Sequence, residues 1–174
     1  MNRRLALAAM IACTAHSARA DEPKVGDKAP EFSMVGTDGK IYKLSDYKGK
    51  EPVVLAWFPK ADTPGCTKEC KSFSAAKAEM KALKVAYFTA SVDAPADNKK
   101  FADKFAFTFP ILSDPDKSVA KAYGVLNAGG MARRWTYYID KDGVIREIDK
   151  KVNAAEAAAD ASKTLKSLGL ADAK

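Results

Sequence analysis

Histidine is almost absent from this chain. Its 174 residues contain one histidine, His16, and three cysteines, Cys13, Cys66 and Cys70. His16 and Cys13 lie in residues 1–20, which have the features of a removable leader. Without that leader the chain has two cysteines and no histidine. This excludes a histidine-activated thiol, a Ser–His triad and a histidine-containing metal site.

The sequence also lacks an apolar run long enough to cross a membrane. Residues 1–20 combine a pair of arginines, an apolar run at 5–13 and an Ala-Arg-Ala sequence at 18–20. This pattern is typical of a secretory signal peptide cleaved before Asp21. The alternative is an uncleaved N-terminal anchor, but a membrane-spanning helix needs about 20 apolar residues. We therefore expect an exported, periplasmic protein with one domain at 21–174, free of the membrane after cleavage.

No strong charge excess remains once the leader is removed. The full chain carries a net charge of +7, with 29 basic and 22 acidic residues. Removing the three arginines of residues 1–20 leaves 26 basic residues against 22 acidic ones, a net charge of +4. The basic residues are spread evenly and do not alternate with aromatic ones. The composition therefore gives no support for nucleic-acid binding.

One stretch combines a strand, a loop and a helix around a cysteine. The apolar run at 53–58, bounded by prolines and rich in β-formers, predicts a buried strand. Pro59, Pro64 and Gly65 then break the chain into a loop. Cys66 opens a segment that predicts a helix through Leu83.

This position favours the thiolate of Cys66. The first N–H groups of a helix have no partner within the helix, and the peptide dipoles add partial positive charge there. Without histidine, further stabilisation must come from hydroxyl groups and arginine. Thr63 offers a hydroxyl that can donate to the sulfur or to a bound oxygen.

The same stretch resembles the active site of a known family. The pattern Pro59-x-x-x-Thr63-x-x-Cys66 is similar to the signature of the peroxiredoxins, which are thiol-dependent peroxidases. Residues 58–69, FPKADTPGCTKE, resemble the Q-type subgroup, also called bacterioferritin comigratory proteins. The similarity extends over about residues 24–168. It implies a thioredoxin-like fold and no cofactor or metal.

The resemblance implies a role for each residue of the site. Cys66 would be the peroxidatic cysteine, and Pro59 would shield its thiolate from water. Thr63 would stabilise the peroxide oxygens together with the Cys66 amide and Arg134, which precedes a Thr-aromatic strand. Arg133 is the competing arginine.

The resemblance also implies roles for Glu69 and Cys70. Glu69 stands at the family's acid position and would orient the arginine; the alternative is simple charge complementarity with the helix start. Cys70 would resolve oxidised Cys66 as a disulfide, although Q-type proteins commonly place this cysteine one residue later. On an intact helix, Cβ atoms at i and i+4 lie about 5–6 Å apart, beyond the roughly 3.8 Å of a disulfide. Cys70 is therefore either a resolving cysteine whose helical turn must unwind or an inert core residue.

The rest of the chain alternates strands and helices, which predicts an α/β protein with parallel strand pairs. We expect a hairpin at 32–35 and 41–44, strands at 85–90, 109–112, 134–139 and 144–148, and helices at 96–105, 115–123 and 153–168. Asp114 is the predicted N-cap of a helix starting at Pro115, and Asn153 with Glu156 fits a capping box. The result is a central mixed sheet with helices on both faces and an N-terminal β-hairpin, which resembles the thioredoxin-like fold.

The resemblance also implies the partners. These are a hydroperoxide substrate and a thioredoxin-like or other dithiol reductant, for a protein that is a monomer or weak dimer. Two other functions fit an exported C-x-x-x-C protein. A Sco-like copper-binding module would need a distant histidine ligand, and a disulfide-exchange protein usually carries C-x-x-C. Neither function explains Thr63 or Arg134.

Overall fold

The structure is a computed structural model, and it describes residues 22–171. The predicted signal peptide, with Cys13 and His16, lies outside the described residues. Within them the chain forms one mixed sheet in the order β2-β1-β5-β4-β3-β6-β7. The strands are β1 Ser33–Gly36, β2 Ile41–Lys43, β3 Val53–Trp57, β4 Ala86–Ser91, β5 Ile111–Ser113, β6 Thr136–Ile139 and β7 Ile145–Asp149. The helices are α1 Pro64–Ala75, α2 Lys77–Ala82, α3 Pro95–Phe105, α4 Ser118–Ala122 and α5 Ala157–Ser167.

Strand β3 lies near the centre of the sheet and is buried on both faces. It pairs in parallel with β4 and antiparallel with β6. Its odd residues, such as Leu55, pack into one apolar cluster, and its even residues, such as Val54, pack into the other. A continuous apolar run is the sequence pattern that burial on both faces requires. The predicted strand at 53–58 is therefore confirmed, one residue shorter at its end.

Helices cover both faces of this sheet. Helices α1, α2, α3 and α5 contribute side chains to the cluster that contains Val54. Helix α4 and the N-terminal segment contribute to the cluster that contains Leu55. The predicted architecture, a mixed sheet flanked by helices and preceded by a β1–β2 hairpin, is confirmed. Within residues 22–171, no helix has the length and apolar character needed to cross a membrane.

The helix predicted from Cys66 to Leu83 is in fact two helices. Helix α1 ends at Ala75 and α2 begins at Lys77, with Ala76 at a ψ of 8° between them. No proline or glycine marks this break, and nothing in the local sequence explains it. Met80 of α2 still packs into the same apolar cluster as the side chains of α1.

The start of helix α4 also differs from the prediction. The helix starts at Ser118 and not at Pro115, and its N-cap is Lys117 and not the predicted Asp114. The Asp114 carboxylate accepts hydrogen bonds from the N–H groups of Val119 (3.4 Å) and Ala120 (2.7 Å). The acid therefore satisfies the unpaired amides of the first turn from across a short loop.

The capping box predicted for the last helix was wrong. Asn153 accepts a hydrogen bond from the Ala155 N–H at 3.2 Å, within a turn that precedes the helix. Helix α5 begins at Ala157, and the Ala158 N–H donates to the Ser72 hydroxyl at 3.0 Å. A side chain of α1 thus caps α5 and ties it to the helix that carries both cysteines.

Candidate active site

Cys66 lies in the first turn of α1, just beyond the end of β3. It is the third residue of the helix, and it is 1% exposed. In the first backbone hydrogen bond of α1, the Thr67 N–H donates to the Thr63 carbonyl at 2.9 Å. The Cys66 amide therefore precedes the hydrogen-bond ladder of the helix, as the sequence predicted for a thiol at a helix start.

Arg134 reaches Cys66 because β6 is paired with β3. The register places Ala56 opposite Thr136, and the Trp57 N–H donates to the Trp135 carbonyl at 2.8 Å. Residue 134 is thereby held beside the loop that follows β3. Its Nη2 donates to Cys66 Sγ at 3.3 Å.

Arg133 points elsewhere. It is exposed, and its guanidinium lies over the Trp135 ring, 5.3 Å from the ring centre. The strand register thus separates two adjacent arginines, one at the thiol and one at the surface.

Glu69 completes a bridge of three side chains. One carboxylate oxygen pairs with Arg134 Nη1, while Nη2 of the same guanidinium contacts Cys66. Glu69 is fully buried, and among residues 22–171 its Oε1 has no hydrogen-bond partner. Burial raises the pKa of Glu69 to about 7, although the charge of Arg134 acts in the opposite direction. The planar fork of arginine can hold an acid and a sulfur at once, which fixes its orientation.

Gly65 is a site residue that the sequence analysis missed. A Cβ built at this position would lie 3.1 Å from Arg134 Nη2. Any larger residue would therefore press on the nitrogen that contacts Cys66. The one available signal was the glycine itself in the first turn of a helix, where glycine has no propensity advantage.

Pro59 and Thr63 lie in the loop that precedes Cys66, with Thr63 at the N-cap of α1. The Thr63 hydroxyl donates to the Lys60 carbonyl at 3.0 Å and not to the Cys66 sulfur as expected, because short polar side chains bond readily to nearby backbone. Donation to a bound oxygen would require this hydroxyl to rotate. Pro59 is half-buried at the end of the strand segment.

Cys70 lies one turn below Cys66 in the apolar core. It is fully buried, and its Sγ is 3.8 Å from the hydroxyl of Thr89 on β4. Both cysteines are free thiols. Burial strongly raises the pKa of the Cys70 thiol, so it stays protonated in this position. Both thiols are buried in the same apolar cluster, and they differ in their polar neighbour: a guanidinium at Cys66 and a threonine hydroxyl at Cys70.

This geometry suits attack by a thiolate on a polarised oxygen. A guanidinium beside the sulfur stabilises its negative charge and leaves donors for a substrate oxygen. The described part of the chain, residues 22–171, contains no group of three or more His, Cys, Asp or Glu residues able to hold a metal ion.

Comparison with known proteins decides the family. Residues 25–148 match the AhpC/TSA family. This chain belongs to the AhpC/TSA family.

Its relatives are peroxiredoxins of the predicted subgroup. The chain is 35% identical to peroxiredoxin Bcp of Bacillus subtilis over 153 residues, which is 83% of this chain and 96% of that one. The crystal structure of the peroxidoxin BcpB from Mycobacterium tuberculosis superimposes with a TM-score of 0.76 and 31% identity, covering 83% of this chain and 97% of the other. The Xanthomonas campestris bacterioferritin comigratory protein gives a TM-score of 0.72 and 25% identity, covering 78% and 90%. The predicted peroxiredoxin resemblance and thioredoxin-like fold are confirmed.

Membership of this family makes the chain a thiol-dependent peroxidase, an oxidoreductase. The two alternatives, a Sco-like copper-binding module and a disulfide-exchange protein, are not favoured by these relatives.

The buried Glu69 gives this peroxiredoxin a measurable pH signature. Its pKa is about 7 in the folded protein, against an ordinary value of 4.5. Between these values the folded state holds a proton that the unfolded state lacks, so this group makes stability fall as pH rises from 4.5 to 7. The quantity to compare is the free energy of unfolding of wild type minus that of Glu69→Gln. We expect this difference to decrease by about 3 kcal/mol as the pH rises from 4.5 to 7 and then to stay constant.

Denaturant titrations at a series of pH values measure this difference. Glu147→Gln is the matched control, because it makes the same chemical change at an exposed position on β7. A wild type minus Glu69→Gln difference that is constant from pH 4.5 to 8 would contradict the expected proton uptake.

Proposed function

We propose that Cys66 is the peroxidatic thiol of a Q-type peroxiredoxin that reduces hydrogen peroxide and organic hydroperoxides. The observation that carries this proposal is the Arg134 fork, which contacts the Cys66 sulfur with one nitrogen and the buried Glu69 with the other. Of the described cysteines, Cys66 alone combines a guanidinium with a helix N-terminus.

In the first step the Cys66 thiolate attacks the terminal oxygen of the hydroperoxide. A sulfur–oxygen bond forms as the oxygen–oxygen bond breaks, and the departing alkoxide or hydroxide takes up a proton. The products are an alcohol or water and a sulfenic acid at Cys66. Negative charge moves from sulfur onto the peroxide oxygens, so Arg134 beside the sulfur stabilises the transition state as well as the thiolate.

The other groups around the thiol would each have a separate role in the reaction. The Cys66 amide and a rotated Thr63 hydroxyl would donate to the peroxide oxygens. Pro59 would limit the access of water to the sulfur. Glu69 would keep Arg134 oriented, since its buried carboxylate holds the far side of the guanidinium.

We further propose that Cys70 resolves the sulfenic acid. The Cys70 sulfur attacks the Cys66 sulfur, the sulfur–oxygen bond breaks, and the hydroxyl leaves with a proton as water. Cys70 is buried four residues along α1, so the first turns of this helix must unwind before the sulfurs meet. A dithiol reductant, most simply a thioredoxin-like protein, then reduces the disulfide by thiol exchange.

The substrate range is proposed from a relative of known structure. The structure of the Xanthomonas campestris bacterioferritin comigratory protein is described as giving insight into its alkyl peroxide reduction activity. We extend that substrate class, with hydrogen peroxide, to this chain.

The leader supports a location, and the resemblance to Q-type peroxiredoxins supports an assembly state. We propose export to the periplasm through the signal peptide at 1–20, cleaved before Asp21, and action as a monomer or weak dimer. An exported dithiol donor would then reduce the oxidised form of the protein.

Mass measurement after one equivalent of peroxide tests the resolving step. Wild type should lose two hydrogens as Cys66 and Cys70 join, whereas Cys70→Ala should gain one oxygen as an unresolved sulfenic acid. With a dithiol donor, Cys70→Ala should turn over at least about tenfold more slowly, because the sulfenic acid then depends on an external thiol.

Two results would contradict the proposal in different ways. Gain of one oxygen by wild type, with unchanged turnover of Cys70→Ala, would leave Cys70 as a core residue without a redox role. Absence of any mass change in either protein would remove Cys66 as the peroxidatic thiol.

A further inference from the structure

The loop that leads into Cys66 contains a left-handed residue. Asp62 adopts a φ of 57°, in a region that aspartate enters more readily than most residues with a side chain. Such a conformation persists when surrounding contacts hold it. The loop also carries Pro59 and Thr63, the residues proposed above to shield the thiol and to donate to the peroxide oxygens.

Two polar contacts within residues 22–171 join this loop to neighbouring elements, while Ala61 also packs against the apolar cluster that contains Val54. Lys104 of α3 pairs with the Asp62 carboxylate at 2.7 Å, but both side chains are about half exposed. Exposed ion pairs contribute little. The second contact is the Ala61 N–H, which donates to Asp93 Oδ2 at 2.8 Å in a partly buried position. A backbone amide bonded to a carboxylate is the stronger restraint.

Asp93 is itself held by a buried polar network. Its N–H donates to the Ser91 hydroxyl at 3.3 Å. Asn98 of α3 donates to Ser91 at 3.0 Å and to Ser113 of β5 at 2.9 Å. These three side chains are at most 4% exposed. Rigid, satisfied networks of this kind fix the groups attached to them.

We propose that Asp93 is a positioning residue for the peroxide pocket. The Ser91–Asn98–Ser113 network fixes Asp93, and Asp93 in turn accepts the hydrogen bond of the Ala61 amide. This bond holds the loop that carries Pro59 and Thr63 beside Cys66. This inference rests on the proposed function of Cys66 as the peroxidatic thiol. The role requires an acceptor at the Oδ position and not a negative charge.

The variants separate the need for a hydrogen-bond acceptor at residue 93 from the need for a negative charge. Asp93→Asn keeps an oxygen in reach of the Ala61 N–H, whereas Asp93→Ala removes the acceptor and Asp93→Ser shortens the side chain beyond reach. Asp97→Ala is the matched control, because Asp97 is an exposed acid lining the same 270 Å³ cavity beside the loop. All variants are made in the complete, reduced protein.

Two reactions of Cys66 are measured in each variant. Oxidation by hydrogen peroxide needs the pocket walls, whereas alkylation by iodoacetamide needs only an accessible thiolate. We expect Asp93→Ala and Asp93→Ser to be oxidised about 10- to 100-fold more slowly than wild type, with alkylation changed less than threefold. Asp93→Asn and Asp97→Ala should stay within about threefold of wild type in both reactions.

The outcomes separate this inference from the proposed function. If wild type reacts rapidly with peroxide and Asp93→Ala reacts equally fast, the positioning role is overturned and the role of Cys66 stands. If both reactions slow equally in the truncated variants, or if Asp93→Asn is as slow as Asp93→Ala, the residue does not act by placing the loop. If wild type reacts no faster than an ordinary thiol, the proposed function fails and this inference fails with it.

Discussion

Replacing Cys66 with serine should reduce peroxide turnover by at least about 10⁴-fold, because loss of a nucleophile removes the covalent step entirely. A serine hydroxyl remains neutral beside Arg134 and does not form a sulfenic acid. Consumption of hydrogen peroxide with a dithiol donor in excess measures the effect.

Cys70→Ala is the matched control for this variant. It removes the other described thiol but leaves Cys66 beside Arg134, so its first oxidation by peroxide should proceed at close to the wild-type rate. Rapid oxidation of Cys66→Ser at Cys70 would contradict the assignment, because a buried, protonated thiol would then be the reactive one.

Replacing Arg134 with methionine should slow oxidation of Cys66 by about 10²- to 10³-fold, the cost usually found when one donor to a developing anion is removed. Methionine fills similar space without charge. It leaves the thiolate without its cation and Glu69 as an unpaired acid in the core. Arg134→Lys should recover only part of the rate, since one ammonium group does not reproduce the planar two-sided contact.

The adjacent arginine offers a sharp control. Arg133→Met makes the same chemical change one residue away, on a side chain that lies over Trp135 at the surface. It should leave the rate within about twofold of wild type. Stopped-flow measurement of the reduced proteins compares the three variants directly, and equal rates for Arg134→Met and Arg133→Met would contradict the role of Arg134.

The strand and helix on either side of the Cys66 loop could be predicted because their signals are local. An apolar run, two prolines and a cysteine place Cys66 at a strand–loop–helix junction without knowledge of distant residues. Arg134 came instead from the family resemblance. The structure supplies its physical basis, because the β3–β6 register decides which of two neighbouring arginines faces the thiol.

What the sequence could not predict depends on contacts between distant segments. Ser72 caps α5 across 86 positions of the chain, which made the Asn153–Glu156 capping box the wrong choice. The Ala61–Asp93 bond spans 32 positions, and nothing in the Ser-Val-Asp sequence at 91–93 identifies its partner. Local propensity does not encode tertiary contacts of this kind.

Two details of the site depend on a choice among hydrogen-bond partners. The sequence offered the Thr63 hydroxyl to the Cys66 sulfur or to a bound oxygen, and in the structure this hydroxyl donates to the Lys60 carbonyl. Glu69 fitted both an exposed helix-start charge and an arginine partner, and its full burial against Arg134 agrees with the second. Burial decides such cases, and burial is a property of the assembled fold.

The most direct test is the second-order rate constant for oxidation of reduced, signal-free protein by hydrogen peroxide, measured by stopped flow. The same chain unfolded in denaturant supplies an internal reference, since its Cys66 keeps its neighbours in sequence but loses Arg134. We expect the folded protein to react at least about 10³-fold faster than the unfolded one, because a guanidinium and a helix N-terminus act on the sulfur only in the fold. Equal rates for the folded and unfolded chains would show that the fold does not activate Cys66.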